Sequence, residues 1–226
     1  MNFEHAALII VDMQNDFIHD QGFVRKSSRE IGVPSSALDL LNEPIPKIKR
    51  LADGFRKNGL NVIYIYTAWE KDYSDVALPL KKLGPKAKAM GALVKGSWGA
   101  QIIEELTPLA TDHQVMKKAY GAFFQTPLDR MLRNMGIKTL IMTGVATNFC
   151  VETTLREAVA YGYDVILASD GAATFDPEGH QATLKVVSTG FGEVMTTDEI
   201  LDSLSSYKPL TLLIKDKPQS TQRNTC

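Results

Sequence analysis

Three side chains that are capable of hydrolytic chemistry each stand at or just beyond the end of a short predicted strand. Asp12 follows AALIIV, Lys117 ends HQVMK, and Cys150 comes a few residues after KTLIMT. A cysteine attacks carbonyl groups as its thiolate, a carboxylate can accept the thiol proton, and an ammonium group can stabilise negative charge. Ligands bind beyond the carboxyl ends of parallel strands, so we expect these side chains to meet at one sheet edge.

Cys150 is the most informative of the three, because its position predicts an unusual environment. Asn148 is typical of a helix N-cap, which places Cys150 at the second helical position. The helix dipole and the charge of Lys117 are expected to lower the thiol pKa there, and free amides could bind an oxyanion. A buried structural cysteine is the alternative. Asp12 and Lys117 taken singly are typical of a turn residue and a surface lysine, so the hypothesis depends on all three.

The chain alternates predicted strands and helices about six times. Strands are predicted at 6–11, 61–67, 113–117, 138–143, 163–169 and 193–196. Helices are predicted at 43–58, 99–106, 126–136, 148–161, 176–190 and after Thr197. This alternation predicts an α/β fold, a single-domain parallel six-stranded sheet with helices on both faces.

Domain organisation follows from the same pattern. We expect one hydrolase domain over residues 1–207 and a polar extension over 208–226 that is partly mobile. The segment 68–98 carries several prolines and glycines and no clear periodicity. A loop of this length usually forms a lid or a pocket wall.

Composition and net charge limit the classes of protein to which the chain can belong. The 226 residues are 44% apolar and 23% charged, with a net charge of −1, which gives no general attraction to nucleic acid or to an anionic membrane. No apolar run approaches the roughly 18 residues of a spanning helix, and the N-terminus lacks a basic signal-like segment, so we expect a cytoplasmic protein. The two cysteines, Cys150 and Cys226, are not expected to form a disulfide there.

Three motifs resemble the isochorismatase-like cysteine hydrolases. They are VDMQNDF at 11–17, KKAYGAFFQTPLD at 117–129 and GVATNFCVETTLREA at 144–158, and the likeness runs over about 6–204. The resemblance implies a Rossmann-like three-layer sandwich and a catalytic triad of Asp12, Lys117 and Cys150. Lys118 could compete for the lysine role, but the spacing to the aromatic at Tyr120 selects Lys117.

The same resemblance implies two backbone features and a set of substrate contacts. A cis peptide bond is expected between Val145 and Ala146, and the amides of Ala146 and Cys150 are expected to form the oxyanion hole. Through KGSW at 95–98 and the motifs above, the sequence is most similar to the ureidoacrylate amidohydrolase branch of the family. The substrate-binding candidates that follow are Thr67, Trp69, Asp75 and Tyr120, together with Asn15 in the loop after Asp12.

Two of these candidates differ in residue type from what the ureidoacrylate amidohydrolase branch implies, and the two aromatic candidates could instead be structural. Thr67 stands where the resemblance implies an asparagine, and Asp75 stands where it implies a glutamate. Trp69 and Tyr120 could equally be core residues that only pack.

Neither a metal nor an organic cofactor is expected. Nicotinamidases of this superfamily bind a metal through an Asp-x-His element, whereas this chain reads Thr67-Ala68-Trp69 at the corresponding place and has no histidine between His19 and His113. Cleavage of a vinyl ether in this family does not need the cysteine. The presence of Cys150 therefore favours amide or carbamoyl substrates.

The sequence thus predicts a cysteine-dependent amidohydrolase that cleaves a small N-carbamoyl or ureido acid, or a related amide, through a thioester intermediate. The alternatives are an isochorismate (vinyl ether) hydrolase on the same fold and a non-catalytic member that binds a small molecule. A depressed thiol pKa would favour the enzyme over the binding protein. A homo-oligomer, dimer or tetramer, is expected from the resemblance, with no nucleic-acid or membrane partner.

Overall fold

The six strands of the computed structural model, which describes residues 3–77 and 84–207, form one parallel sheet. Their order across the sheet is β3-β2-β1-β4-β5-β6, with every neighbouring pair parallel. Their bounds are β1 Ala6–Val11, β2 Asn61–Thr67, β3 His113–Lys117, β4 Thr139–Val145, β5 Asp164–Ala173 and β6 Glu193–Met195. The predicted six-stranded parallel sheet is confirmed.

The central strand β1 is buried on both faces, which explains its unbroken apolar run. Leu8 and Ile10 belong to one core cluster, and Ala7, Ile9 and Val11 belong to another. Successive side chains of a strand point to opposite faces, so each face of the sheet needs its own cover.

Helices supply that cover on both faces. The first cluster includes residues of α5 and α10, and the second includes residues of α7, α8 and α9. The bounds of these helices are α5 Ile45–Lys57, α7 Leu128–Asn134, α8 Glu152–Ala160, α9 Pro177–Gly190 and α10 Thr197–Ser205. The expected three-layer arrangement is confirmed.

Short helices fill much of the remaining chain. They are α1 Asn15–Ile18, α2 Phe23–Lys26, α3 Ser28–Ile31, α4 Ser35–Leu38 and α6 Gly84–Met90, with 3-10 turns at Phe3–His5, Asp39–Asn42 and Glu104–Leu106. α6 lies within the segment that the sequence indicated as an irregular loop. Residues 78–83 of that loop and the extension predicted at 208–226 lie outside the described residues. None of the helices within the described ranges is both long and apolar enough to cross a membrane.

The helix predicted at 99–106 is wrong, because tertiary backbone bonds replace helical ones there. The carbonyls of Gly99 and Gln101 accept hydrogen bonds from the amides of Asp16 and Asn15, at 2.9 and 3.0 Å. The amide of Ile103 donates to the carbonyl of Met13, at 3.0 Å. This segment therefore lies along the loop that follows β1, close to the carboxyl edge of the sheet.

β4 and β5 are longer than predicted, and their pairing shifts register between Met142 and Gly144. Gly144 has a φ of +107°, and a Cβ there would lie 2.1 Å from the carbonyl oxygen of Val11. Only glycine tolerates both this conformation and this approach. The close contact brings the end of β4, and the turn after it, next to the end of β1.

Candidate active site

Asp12 lies at the carboxyl end of the central strand, in the residue after β1. Its backbone has a φ of +53°, and its amide donates to the carbonyl of Ile65 at 2.8 Å. The side chain is 1% exposed. Its Oδ1 accepts a hydrogen bond of 3.0 Å from the Thr67 hydroxyl, at the end of the neighbouring β2.

Lys117, the last residue of β3, joins the three reactive groups. Its Nζ lies 2.8 Å from Oδ2 of Asp12 and donates to Sγ of Cys150 at 3.4 Å. It also donates to Oγ1 of Thr67 at 2.8 Å and to the carbonyl of Ala119 at 3.0 Å. The structure therefore brings together the three side chains that the sequence predicted to meet.

The lysine that reaches the thiol is the one that the spacing selected. Lys117 is 1% exposed, whereas the neighbouring Lys118 turns to the surface and pairs with Asp75. Successive residues of an extended segment point to opposite sides, so only one of the two lysines can face Cys150.

The turn that carries Cys150 differs from the prediction. Asn148 is not the N-cap: a π-type turn spans Thr147–Val151 with Ala146 as its cap residue, and α8 begins only at Glu152. The amides of Phe149 and Val151 both donate to the carbonyl of Ala146, at 3.0 and 3.3 Å. This wider turn places Cys150 just before the regular helix.

The backbone before this turn has the predicted isomer. The peptide bond between Val145 and Ala146 is cis, as the resemblance implied. Cys150 itself is 9% exposed and has a free thiol. It is the most accessible member of the trio, since Asp12 and Lys117 are each 1% exposed.

The expectation of a depressed thiol pKa is wrong. Burial raises the pKa of the Cys150 thiol, the negative charge of Asp12 raises it further, and Lys117 offsets only part of this. For Lys117, burial lowers the pKa, but the charges of Asp12 and Cys150 outweigh burial and raise it overall. The resting site therefore holds a protonated thiol beside an ammonium group, and a base must remove the thiol proton before attack.

One oxygen of the buried carboxylate is free for that task. Oδ2 of Asp12 is fully buried, and apart from the Lys117 ammonium group, 2.8 Å away, it has no hydrogen-bond donor among the residues that the structure describes. A carboxylate oxygen has several lone-pair positions, so one that is paired with a single ammonium group can still accept a proton.

The five substrate-binding candidates lie in different environments. Thr67 is buried between Asp12 and Lys117. Trp69 is 1% exposed, its indole donates to the carbonyl of Lys118 at 3.3 Å, and its ring packs on Tyr73. The position of Trp69 favours the packing interpretation.

Tyr120 and Asp75 share a cavity, whereas Asn15 lines another. Tyr120 and Asp75 both line a cavity of about 1060 Å³. Lys118, the residue after Lys117, lines the same cavity. Asn15 donates through its side-chain amide to the carbonyl of Trp98 at 2.8 Å and lines a separate cavity of about 610 Å³. Asp12, Lys117 and Cys150 line neither cavity.

Sequence reasoning missed an aromatic row beside the nucleophile. The rings of Tyr120 and Phe149 have centroids 6.2 Å apart, and those of Phe149 and Phe175 are 6.0 Å apart. Phe149 precedes Cys150 directly and is 40% exposed. Its place in the third motif, directly before Cys150, was the signal that could have identified it.

Gln14 was also missed, although it lies in the first motif. Its side-chain amide donates to the carbonyls of Thr67 and Ala100, each at 2.8 Å, and its Oε1 accepts from the Thr67 amide at 2.7 Å. It therefore fixes the end of β2 to the loop that carries Asp12.

Metal-ligating residues do not cluster in the parts of the chain for which the structure gives coordinates. Across 3–77 and 84–207, no group of three or more His, Cys, Asp or Glu side chains is close enough to hold a metal ion.

Comparison with known proteins places the chain among enzymes of this fold. A ureidoacrylate amidohydrolase of Cronobacter turicensis is 32% identical over 214 residues, covering 89% of both chains. A cysteine hydrolase from Pseudomonas syringae superposes with a TM-score of 0.80 at 29% identity, covering 91% of this chain and 95% of that one. N-carbamoylsarcosine amidase from Thermoplasma acidophilum gives a TM-score of 0.67 at 26% identity, with 88% and 98% covered. The isochorismatase domain profile matches residues 6–199, and the chain belongs to the isochorismatase family.

Proposed function

We propose that the chain hydrolyses a small N-carbamoyl or ureido acid, with Cys150 as nucleophile, Asp12 as general base and acid, and Lys117 as the charge that orients them. Like the curated relatives, the chain is a cysteine-dependent amidohydrolase that acts on C–N bonds. The observation that carries the residue roles is the position of Lys117 Nζ, 3.4 Å from the sulfur and 2.8 Å from the carboxylate.

The geometry supports a two-step reaction. Oδ2 of Asp12 takes the thiol proton as the sulfur attacks the substrate carbonyl, and the amides of Ala146 and Cys150 hold the oxyanion. When the C–N bond breaks, the nitrogen leaves with the proton that Asp12 returns. Water, activated by the same carboxylate, then hydrolyses the thioester. A carbamate released in this way decomposes to carbon dioxide and ammonia.

The proton has to move during attack, because the thiol is not ionised at rest. Burial raises the pKa of Cys150, so the thiol stays protonated near neutral pH. The buried carboxylate beside Lys117 offers an acceptor that needs no diffusing base. This supports a role for Asp12 in both steps.

Relatives support the substrate class. One curated relative is a ureidoacrylate amidohydrolase, and one structural neighbour is an N-carbamoylsarcosine amidase. Both names denote substrates in which a carbonyl is bonded to nitrogen. We propose that Tyr120 and Asp75 bind the substrate, because both line the cavity of about 1060 Å³. Lys118, which follows Lys117 in sequence, lines the same cavity.

An ammonia-release screen with ureidoacrylate, carbamoyl amino acids, biuret and nicotinamide tests this proposal. For each active substrate, Cys150→Ala and Cys150→Ser are expected to lose about a thousandfold or more in turnover, because no other group can form the thioester. Cys226→Ser, which removes the other cysteine, is the matched control and is expected to keep wild-type turnover.

Retained turnover of every active substrate in both Cys150 variants would contradict the nucleophile assignment. Hydrolysis of isochorismate that is indifferent to these substitutions would favour the vinyl ether alternative. Thermal unfolding of each variant separates loss of chemistry from loss of fold.

We further propose that the enzyme works in the cytoplasm as a homo-oligomer, a dimer or a tetramer. A reducing compartment keeps the nucleophilic thiol free. Light scattering on the protein eluting from a size-exclusion column gives the mass of the assembly, and a mass equal to one chain would overturn the oligomer.

A further inference from the structure

Lys117 has more neighbours than it has hydrogens. An ammonium group carries three N–H donors and no acceptor. The three donors of Lys117 go to Oγ1 of Thr67, to the carbonyl of Ala119 and to Sγ of Cys150. Oδ2 of Asp12 is a fourth acceptor, 2.8 Å from Nζ, so three hydrogens are shared among four acceptors.

This count leaves Oδ2 of Asp12 with no more than a shared hydrogen of the ammonium group. Oδ2 pairs with Lys117 at 2.8 Å and has no other hydrogen-bond donor among the residues that the structure describes. Its lone pairs remain available to a proton from elsewhere. The neighbouring acid is the Cys150 thiol, on which the Asp12 charge acts directly.

The Thr67 hydroxyl determines which partners the Lys117 hydrogens and the Asp12 oxygens have. It accepts from Lys117 at 2.8 Å, and because a lysine can only donate, the single hydroxyl hydrogen must point to Asp12 Oδ1, at 3.0 Å. The hydroxyl thus occupies one lysine hydrogen and one carboxylate oxygen. The other oxygen is left as the base.

The hydroxyl is held in place by its own backbone. Gln14 binds both the amide and the carbonyl of Thr67, at 2.7 and 2.8 Å, and Thr67 pairs with Lys117 in the register of the sheet. Thr67, Gln14 and Asp12 are all buried. The hydrogen-bond direction is therefore built into the ends of three adjacent strands.

We propose that Thr67 is a positioning residue for deprotonation of the nucleophile: its hydroxyl draws one Lys117 hydrogen away from Asp12 and leaves Oδ2 free to take the thiol proton. This role rests on the proposed function, because deprotonation matters only if Cys150 attacks the substrate. It also differs from a substrate contact, since both polar partners of the hydroxyl belong to the catalytic trio.

The rate of Cys150 alkylation by iodoacetamide, followed against pH in a Cys226→Ser background, tests the proposal without any substrate. The ionisable groups that act on Cys150 are Asp12 and Lys117, and Tyr120 also interacts with it. In Thr67→Val the freed lysine hydrogen is expected to bind Oδ2, so alkylation near neutral pH slows about tenfold because the thiol loses its proton acceptor.

Two comparisons separate positioning from packing. Thr67→Ser keeps a hydroxyl and is expected to alkylate within about threefold of wild type. Thr143→Val removes another fully buried threonine hydroxyl, one that donates to the carbonyl of Ile9 at 2.8 Å. It is expected to lower stability but to leave the alkylation profile unchanged.

Wild-type alkylation in Thr67→Val, or equal slowing in Thr67→Ser and Thr67→Val, overturns the proposal. Thr67→Ala removes the same hydroxyl with a smaller side chain, so a folding defect of the valine variant does not leave the question open. Retained turnover in Cys150→Ala would instead contradict the proposed function. The alkylation profile needs no substrate, so it tests the role of Thr67 separately.

Discussion

Cys150 combines accessibility and burial in a way that bears on its chemistry. Its side chain keeps 9% exposure, yet burial dominates its protonation and raises its pKa. The nearby ammonium group of Lys117 does not overcome this, because its charge is shared with Asp12. A cysteine of this kind depends on a local base, and Asp12 is the acidic group in contact with the same lysine.

The raised pKa of Cys150 predicts a loss of stability at alkaline pH. Above about pH 8.5 the unfolded thiol ionises while the folded thiol stays protonated, so the stability that this group contributes below pH 8.5 is lost as pH rises toward the folded pKa. The free energy of unfolding is expected to fall by up to about 1.4 kcal/mol per pH unit from this group alone.

Urea unfolding at about pH 8 and about pH 10 measures this effect. Cys150→Ala is expected to show a shallower alkaline fall than wild type, with Cys226→Ser as the control for loss of a thiol. Parallel falls in wild type and Cys150→Ala would show that the folded thiol ionises normally.

At the scale of elements, Asp16 connects the loop after β1 with two distant segments. Its Oδ1 accepts from the amide of Phe23 at 3.0 Å, and its Oδ2 accepts from the amide of Leu93 at 2.7 Å. A Cβ at Gly99 would lie 2.0 Å from Oδ2, so the glycine leaves room for the carboxylate. The loop that presents Asp12 is therefore fixed from outside the sheet.

Asp16→Ala is expected to lower the free energy of unfolding by about 3 kcal/mol, because two buried amides lose a charged acceptor. Asp20→Ala is the matched control in the same loop, since the Asp20 side chain is 84% exposed and its pair with Arg25 is at the surface. Its change is expected to stay below about 1 kcal/mol. If urea unfolding gives the same change in the free energy of unfolding for Asp16→Ala and Asp20→Ala, Asp16 does not fix the loop.

The turn after β4 shows why an element can be predicted while its details cannot. Cys150 was expected in the first turn of a regular helix, and a helix does follow at α8. The π-type turn from Ala146 shifts the start of that helix by several residues. Such a turn is set by the contacts of the segment with α9 and β5, which local sequence does not encode.

At the scale of the whole molecule, the edge of the sheet is tied to a covering helix by a buried ion pair. Arg56, near the end of α5, lies 2.6 Å from Asp112, which immediately precedes β3, and also donates to the hydroxyl of Tyr64 at 3.1 Å. The Asp112 side chain is 2% exposed, and its hydrogen bond raises the pKa of Arg56.

Arg56→Met is expected to destabilise the fold by about 3–5 kcal/mol, because it leaves a buried carboxylate without its partner. Arg50→Met is the control on the same helix. Arg50 pairs with Asp198, and their side chains are 51% and 65% exposed, so we expect the free energy of unfolding to fall by less than about 1 kcal/mol. Thermal and urea unfolding measure both. A small effect of Arg56→Met would mean that Asp112 finds other donors.

Much of the architecture could be predicted because it depends on which stretches of chain are apolar. β1, β2 and β3 have the predicted bounds, and for β1 and β2 the reason is that strands buried on both faces are continuous apolar runs. The alternation of strands and helices then leaves few possible parallel arrangements. The helix predicted at 99–106 failed, because its backbone bonds go to a loop more than eighty residues away.

The sequence by itself determined the strand pattern, the family motifs and which acid, lysine and cysteine stand at strand ends. Only the tertiary structure decided that the thiol is protonated at rest, that Trp69 is buried in the core, and that Thr67 lies between Asp12 and Lys117. The physical reason is that burial, charge and hydrogen-bond direction depend on partners fifty or more residues apart, which meet only when the sheet forms.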